Sequence, residues 1–350
     1  MSLQPPVNLR SVPWRPLLLA VVGCLLLSAC ERPPMQSTQQ GYRGLGMVQV
    51  TDPRLPQTTN NALPPALPRP DLPPGSPLAG DTFKNVQVLK DVPVAEFARL
   101  MVAMTTWVAP QQGCAYCHAG SDLSSDALYT KVVARRMLQM TRHINSDWGK
   151  HVGTTGVTCY SCHRGKNVPE YIWFTDPGPA HPSATAGNLA GQNAPSPVVR
   201  LASLPNDPFT TFLQDPVEIR VIQEVALRQD SSMGPSIKNT EQTYGLMMHV
   251  TSALGVNCTF CHNSRSFFDW DQSTPARATA WYGIRLVRDL NMHYLTPLHG
   301  TFPANRLGPT GDSPKTDCAT CHQGAHKPLN GVSMLPDYPE LRGEMKAQPQ

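Results

Sequence analysis

Four times in 350 residues the chain sets two cysteines three positions apart and a histidine directly after the second. The copies read "GCAYCHAG" at 113–120, "TCYSCHRG" at 158–165, "NCTFCHNS" at 257–264 and "DCATCHQG" at 317–324. Cys-x-x-Cys-His is the attachment signature of a c-type haem. Each thiol adds across a haem vinyl group, and the two-residue spacer lets both sulfurs reach adjacent vinyls. The next residue then falls under the iron as its proximal ligand. A redox dithiol or half a zinc site needs only the cysteine pair and gives no reason for the histidine. That histidine recurs in all four copies of a chain with 11 histidines, which points to four covalently attached haems. The attachment residues are Cys114 and Cys117, Cys159 and Cys162, Cys258 and Cys261, and Cys318 and Cys321. The proximal iron ligands are His118, His163, His262 and His322.

The 36 prolines and the 15% of charged residues predict long irregular stretches and argue against a large sheet. The expected fold class is mainly α with extensive irregular loops, a multihaem c-type cytochrome in which the haems help to fill the core. A net charge of +4 argues against a nucleic-acid partner, which asks for a concentrated basic face.

Two cysteines lie outside the motifs, Cys24 and Cys30. Arg10 and Arg15 precede "PLLLAVVGCLLLSAC", a charged region followed by a short apolar one, the form of a secretory signal over residues 1–29. The apolar run is shorter than the roughly 20 residues of a spanning helix. It ends Leu27-Ser28-Ala29-Cys30, the form of a bacterial lipobox, which makes Cys30 the expected lipid anchor. Two or more acyl chains there attach a protein stably to a membrane.

The sixth iron ligand decides between catalysis and relay, because an iron with two strong protein ligands mainly passes electrons. The chain repeats internally. "FARLMVAMTTWVAPQQGCAYCH" at 97–118 matches "YGLMMHVTSALGVNCTFCH" at 244–262, each a helix, a turn and a haem motif. In the first, Phe97, Leu100, Met101, Met104 and Val108 form an apolar stripe at helical spacing. Aligning the Leu-Met pairs equates Met101 with Met247, thirteen residues ahead of Cys114 and eleven ahead of Cys258. Either methionine could reach the far side of an iron or simply pack in the core. A second pair of helices, 126–148 and 274–295, precedes motifs 2 and 4, the latter with Thr274 as N-cap and Pro275 at its first position. Aligning Arg136-Met137-Leu138 with Arg285-Leu286-Val287 gives haem 2 a candidate in Met137 and haem 4 none, since Leu286 cannot bind iron. His151, outside every motif, is the candidate to reach haem 4 from the first half. Met104, Met140, Met248 and Met292 read as packing residues. His143, His249 and His293 read as surface residues or as neighbours of ligands.

The expected organisation is a signal peptide over 1–29, a Pro-rich strap over 30–80 and a first dihaem unit over 81–165. A connector with little regular structure follows over 166–215. A second dihaem unit spans 216–330 and a tail spans 331–350. The two dihaem halves are expected to be pseudo-symmetric.

These residues together resemble a family. The lipobox cysteine, the paired repeats, "RLMVAMTTWVAP", "GVTCYSCHRG", "NCTFCHN" and "YGIRLVRDLNMHYL" are similar to the tetrahaem cytochrome subunit of purple-bacterial photosynthetic reaction centres. The resemblance implies Met101, Met137 and Met247 as sixth ligands of haems 1, 2 and 3, and His151 as the crossed ligand of haem 4. It implies a lipid-anchored protein on the periplasmic face of the photosynthetic membrane, docked on core subunits of L, M and H type that carry bacteriochlorophyll. Its function would be an electron relay, not an enzyme, with the haems in a row ordered 1, 2, 4, 3 and haem 3 nearest the special pair. The donor would be a soluble cytochrome c or a high-potential iron–sulfur protein. Arg277 and Arg285 would lie near haem 3 and raise its potential. The stretch from Leu100 to Ser121 contains no Asp, Glu, Lys or Arg, so a donor docking at haem 1 would meet a weakly charged face. The alternatives are a multihaem periplasmic reductase, which needs an open iron position, and a quinol-linked conduit with a different partner.

Overall fold

The computed structural model describes residues 61–177 and 237–343 continuously, with shorter pieces between 35 and 53 and between 197 and 219. The expected signal peptide and Cys30 lie outside the described residues, as do 178–196, 221–236 and 344–350. The larger of two compact units, Gln39–Gln49 with Gln57–Gln350, carries all four motifs. Short strands β1 (Gln36–Gln39) and β2 (Val48–Thr51) are the main described elements of the N-terminal region.

The motif-bearing unit is helical and loop-rich. In chain order its helices are α1 (Ala79–Thr82), α2 (Val94–Val108), α3 (Tyr129–Asp147), α4 (Gly149–Val152), α5 (Cys159–His163), α6 (Ile237–Leu254), α7 (Pro275–Leu290) and α8 (Cys318–His322). One small antiparallel ladder joins β3 (Ile172–Trp173) to β4 (Lys315–Thr316), with Ile172 opposite Thr316. Among the described residues no helix is long and apolar enough to cross a membrane.

Helix boundaries follow local chemistry. Pro93 precedes α2, whose missing N–H costs nothing at a helix start, and Pro110 follows its end. Gly255, at φ 65°, closes α6 in the left-handed region, and a Cβ there would lie 2.1 Å from the Gly324 carbonyl oxygen. Pro275 opens α7 at its first turn as expected. The Thr274 hydroxyl does not cap that helix; it donates instead to the Phe260 carbonyl at 2.6 Å, tying the helix start to motif 3.

Among the described residues, three apolar clusters replace a single large core. The first gathers Leu100, Ala103 and Trp107 of α2, Leu138 of α3, Tyr160 of α5, and Leu335, Tyr338 and Leu341. Trp107 and Tyr338 meet edge to face at 4.6 Å. The stretch expected as a tail therefore returns across the molecule, and its residues up to 343 pack into the first half. The strap behaves likewise. Buried Arg99 donates from Nε to the carbonyls of Leu67 at 3.1 Å and Pro68 at 3.0 Å. It also donates to the Asp337 carbonyl at 2.7 Å, pairs with Glu96 at 3.1 Å and lies over the Tyr338 ring. One guanidinium thus holds strap and C-terminal segment on α2, its nitrogens donating to the carbonyls of Leu67, Pro68 and Asp337 and to the Glu96 carboxylate. The second cluster contains Trp173, Phe209, Phe212 and Leu213 with Leu246 and Val250 of α6 and Ile284 of α7. Both ends of the expected connector are therefore packed. The third cluster is Ile144 with Leu286 and Leu290.

A polar clasp sits where α3 meets α7. His143 bonds Asp289 through Nε2 at 2.6 Å and Asp147 through Nδ1 at 2.9 Å, and its ring stacks on Tyr294. Trp148 and His293 also donate to Asp289, at 3.0 and 2.7 Å. The bond to Asp289 raises the His143 pKa. Burial pushes the Asp289 carboxyl up, but the bonds from His143, His293 and Trp148 outweigh it and hold the pKa below the usual value. A raised histidine contributes stability that is complete below about pH 6.5 and lost as pH rises through its folded value. A depressed carboxylate contributes above about pH 3.9 and loses its contribution as pH falls. The clasp is therefore strongest between those limits. His143→Gln is expected to cost on the order of 1 kcal/mol at pH 6 and less at pH 9 in denaturant titrations. An equal loss at both pH values would contradict the clasp.

Candidate functional site

Each motif histidine is fixed by the same bond. Nδ1 of His118 pairs with the Leu123 carbonyl at 2.9 Å, and Nδ1 of His262 with the Phe267 carbonyl at 2.9 Å, both five residues on. Nδ1 of His163 pairs with the Lys166 carbonyl at 2.9 Å, and Nδ1 of His322 with the Ala325 carbonyl at 3.0 Å, both three residues on. A carbonyl only accepts, so Nδ1 carries the proton in all four rings and Nε2 is the basic nitrogen. Burial lowers the pKa of His163 and His262 and takes His322 to about 4, which keeps these rings neutral and able to bind metal.

Motifs 1 and 2 face a shared cavity of about 750 Å³, large within the roughly 300–1,000 Å³ range of ligand sites. Met101 and Met137 line it together with Cys114, His118, Cys159 and His163. Phe97, Met104 and Val108 also face it, so four of the five stripe residues on α2 line the cavity while the fifth, Leu100, turns to the core with Ala103 and Trp107. Met104 and Met140, expected to pack, also line this cavity. Met247 is half-buried against the second cluster. Met292 is 37% exposed, so it does not serve as core. His249 is buried, not at the surface, 3.7 Å from Asp317 beside motif 4. Burial lowers its pKa to about 4, so the two are not an ion pair.

His151, on α4, lies opposite His322 with ring centres 6.0 Å apart. Two metal–imidazole bonds of about 2 Å and two ring radii span that gap. Nδ1 of His151 pairs with the Thr279 carbonyl at 2.9 Å, the arrangement of the other four histidines. Burial lowers its pKa as well.

Three motif thiols are held well away from the thiolate form. Burial raises Cys159 and Cys261 to about 11 and Cys318 to about 12. Among the described residues no three His, Cys, Asp or Glu side chains converge to hold a bare metal ion. A haem brings four nitrogens of its own and would ask the chain for thiols and ligands such as the basic Nε2 of each motif histidine. Motifs 2 and 4 abut. The Cα atoms of Cys162 and Cys321 are 4.5 Å apart.

A family model described as "Photosynthetic reaction centre cytochrome C subunit" matches residues 31–342. A protein of that description from Rubrivivax gelatinosus is 52% identical over 328 residues, 93% of this chain and 88% of its own length. Another from Thermochromatium tepidum is 50% identical over 321 residues, 92% of this chain and 78% of its own length. A third from Roseobacter denitrificans is 42% identical over 342 residues, covering 92% and 90%.

The chain belongs to the reaction-centre cytochrome c subunit family.

Several residues that serve this reaction-centre cytochrome were not visible as site residues in the sequence. Thr130 and Thr274 each donate a hydroxyl hydrogen to the residue before a motif's second cysteine, Tyr116 and Phe260 respectively. Gly165 donates from N to the Trp107 carbonyl and Gly324 to the Ala253 carbonyl, each linking a motif to the helix two elements earlier or more. Arg164 reaches the Cys321 carbonyl at 3.5 Å and Gln323 the Cys162 carbonyl at 3.2 Å, a reciprocal exchange between motifs 2 and 4. Their common signal is position: the paired residues occupy equivalent places around their motifs.

The two arginines singled out on α7 differ. Arg277 lies over the Trp270 ring at 4.0 Å and donates to the carbonyl of Asp269 and the hydroxyl of Ser273. Its charge acts on both Cys261 and His262 of motif 3. Arg285 stacks on Trp281 at 4.4 Å. A cation beside an iron disfavours the ferric state. Arg277→Leu is therefore expected to lower the midpoint of the motif 3 haem by on the order of 60 mV, about 1.4 kcal/mol for one electron. Arg285→Leu should lower it less. Redox titration of the α-band checks this, and an unmoved midpoint in Arg277→Leu would contradict it.

Proposed function

We propose that this chain is the tetrahaem electron relay of a photosynthetic reaction centre. It takes electrons from a soluble periplasmic donor and returns them to the photo-oxidised special pair of the core subunits. A c-type haem iron supplies reversible one-electron chemistry once attached. The chain's residues attach, ligate and tune it. Met101 with His118, Met137 with His163, and Met247 with His262 form three Met/His pairs. His151 with His322 forms the one bis-His pair. Methionine ligation raises potential relative to histidine, so the four sites form a ladder of unequal potentials. Held by these pairs, the haems would leave no iron open to a substrate and would supply electron transfer alone.

The observation that carries this reading is the common anchoring of five imidazoles through Nδ1, the four of the motifs and His151. Two further features support a pair of pseudo-symmetric dihaem halves over 81–165 and 216–330. The histidine-to-carbonyl spacing alternates in the same order in both, and the Thr130 and Thr274 hydroxyls perform the same task. The contact of motifs 2 and 4 fits a haem row ordered 1, 2, 4, 3. Lipid attachment at Cys30 places the relay at the periplasmic membrane face. The uncharged stretch from Leu100 to Ser121, with Val102 exposed, fits an apolar docking face for a cytochrome c or an iron–sulfur donor.

Flash spectroscopy of native membranes tests the proposal. With the haems reduced beforehand, α-band oxidation is expected to keep pace with fast special-pair re-reduction. Haems that stay silent while the pair recovers would contradict the relay.

A further inference from the structure

Helix α7 contains a single glycine in its interior, Gly283, and it is buried. Glycine is among the weakest helix formers, and this one does not adopt a positive φ that would require it. The reason lies across the interface. A Cβ built at Gly283 would stand 2.5 Å from Cε1 of His151, 2.9 Å from Nδ1 and 3.2 Å from Nε2. The ring cannot retreat without breaking its bond to the Thr279 carbonyl, one turn earlier on the same helix. His151 therefore lies directly on the helix backbone, in a notch that only the missing side chain provides.

The internal repeat shows what the notch is for. Helix α3 carries Met137, and α7 has Leu286 at the matching position. By the same alignment Gly283 corresponds to Ala134. The helix without the methionine is the one with the notch. The two exchanged positions are three residues apart, on one face of the helix.

We infer that Gly283 is a positioning residue whose absent side chain admits His151 to haem 4, so that the pair Gly283 and Leu286 sets that haem's ligand. The inference rests on His151 as the axial ligand of haem 4. A side chain at 283 displaces the imidazole from the iron while leaving α7 itself intact.

The test uses the full-length holoprotein in four variants: Gly283→Ala, His151→Ala, Gly283→Ala with His151→Ala, and Gly283→Ala with Leu286→Met. The readouts are covalent haem content, redox midpoints, carbon monoxide binding to the reduced protein, and thermal midpoint. Gly283→Ala is expected to keep four attached haems and three unmoved midpoints. It should lose the bis-His signal and take up one equivalent of carbon monoxide. Adding Leu286→Met to it should abolish carbon monoxide uptake and give a fourth haem of higher potential. In the His151→Ala background the sign reverses: with no ring to strike, Gly283→Ala should raise the thermal midpoint, as alanine does in ordinary helices. A bis-His signal and midpoint unchanged in Gly283→Ala would overturn the notch. So would a destabilising Gly283→Ala in the background lacking the ring, a comparison that stands even if the single variant assembles poorly. A bis-His signal that survives His151→Ala would instead overturn the ligand assignment beneath it.

Discussion

Five imidazoles hold their Nδ1 protons against five backbone carbonyls, and much of the fold serves to put those carbonyls in place. Four lie in the loop just after their own motif, three or five residues on. The fifth, that of Thr279, belongs to a helix on the other side of an interface. The bond does two things at once. It fixes the tautomer, so that Nε2 is the metal-binding nitrogen, and it fixes the ring plane. Burial then keeps His163, His262 and His322 neutral, since charging them would cost desolvation with no counter-ion supplied.

The apolar packing follows from the same arrangement. Three modest clusters flank the motifs, with the motif 1 and 2 cavity beside the first. Their joints are polar: Arg99 gathers strap and C-terminal segment onto α2, and Asn291, fully buried, bridges the Leu213 and Thr316 carbonyls and accepts from Thr316 N. Such bonds are worth more for being buried and fully matched. A haem held in that cavity would stabilise the fold through the apolar surface it buries there.

The motifs were legible because covalent chemistry fixes their spacing whatever the fold does. The methionine stripe on α2 was legible because a helix has a fixed period, although the sequence could not say that its faces divide between core and cavity. Trp107 was missed as a core anchor for that reason. The return of Leu335, Tyr338 and Leu341 to the first half was not legible. Nothing local distinguishes a short apolar run that docks from one that trails, and the partner, Arg99, lies some 240 residues away in sequence. Met292 read as a packing residue yet is exposed, whereas His249 lies buried beside motif 4, the second of the two environments expected of it. Thr274 looked like a cap, but the Phe260 carbonyl competes for its hydroxyl, a contact that exists only once motif 3 is folded against α7. Gly283 carries no local signal, because the ring of His151 that requires it comes from a different helix.

The proposed relay requires that three Met/His sets and one His/His set ligate all four irons. Near-infrared magnetic circular dichroism of the fully oxidised holoprotein tests it most directly, since methionine-to-iron and bis-imidazole charge-transfer bands are resolved and can be counted against haem content. The account predicts three methionine-ligated haems, one bis-histidine haem and no high-spin iron. A high-spin component, or two bis-histidine haems, would contradict it.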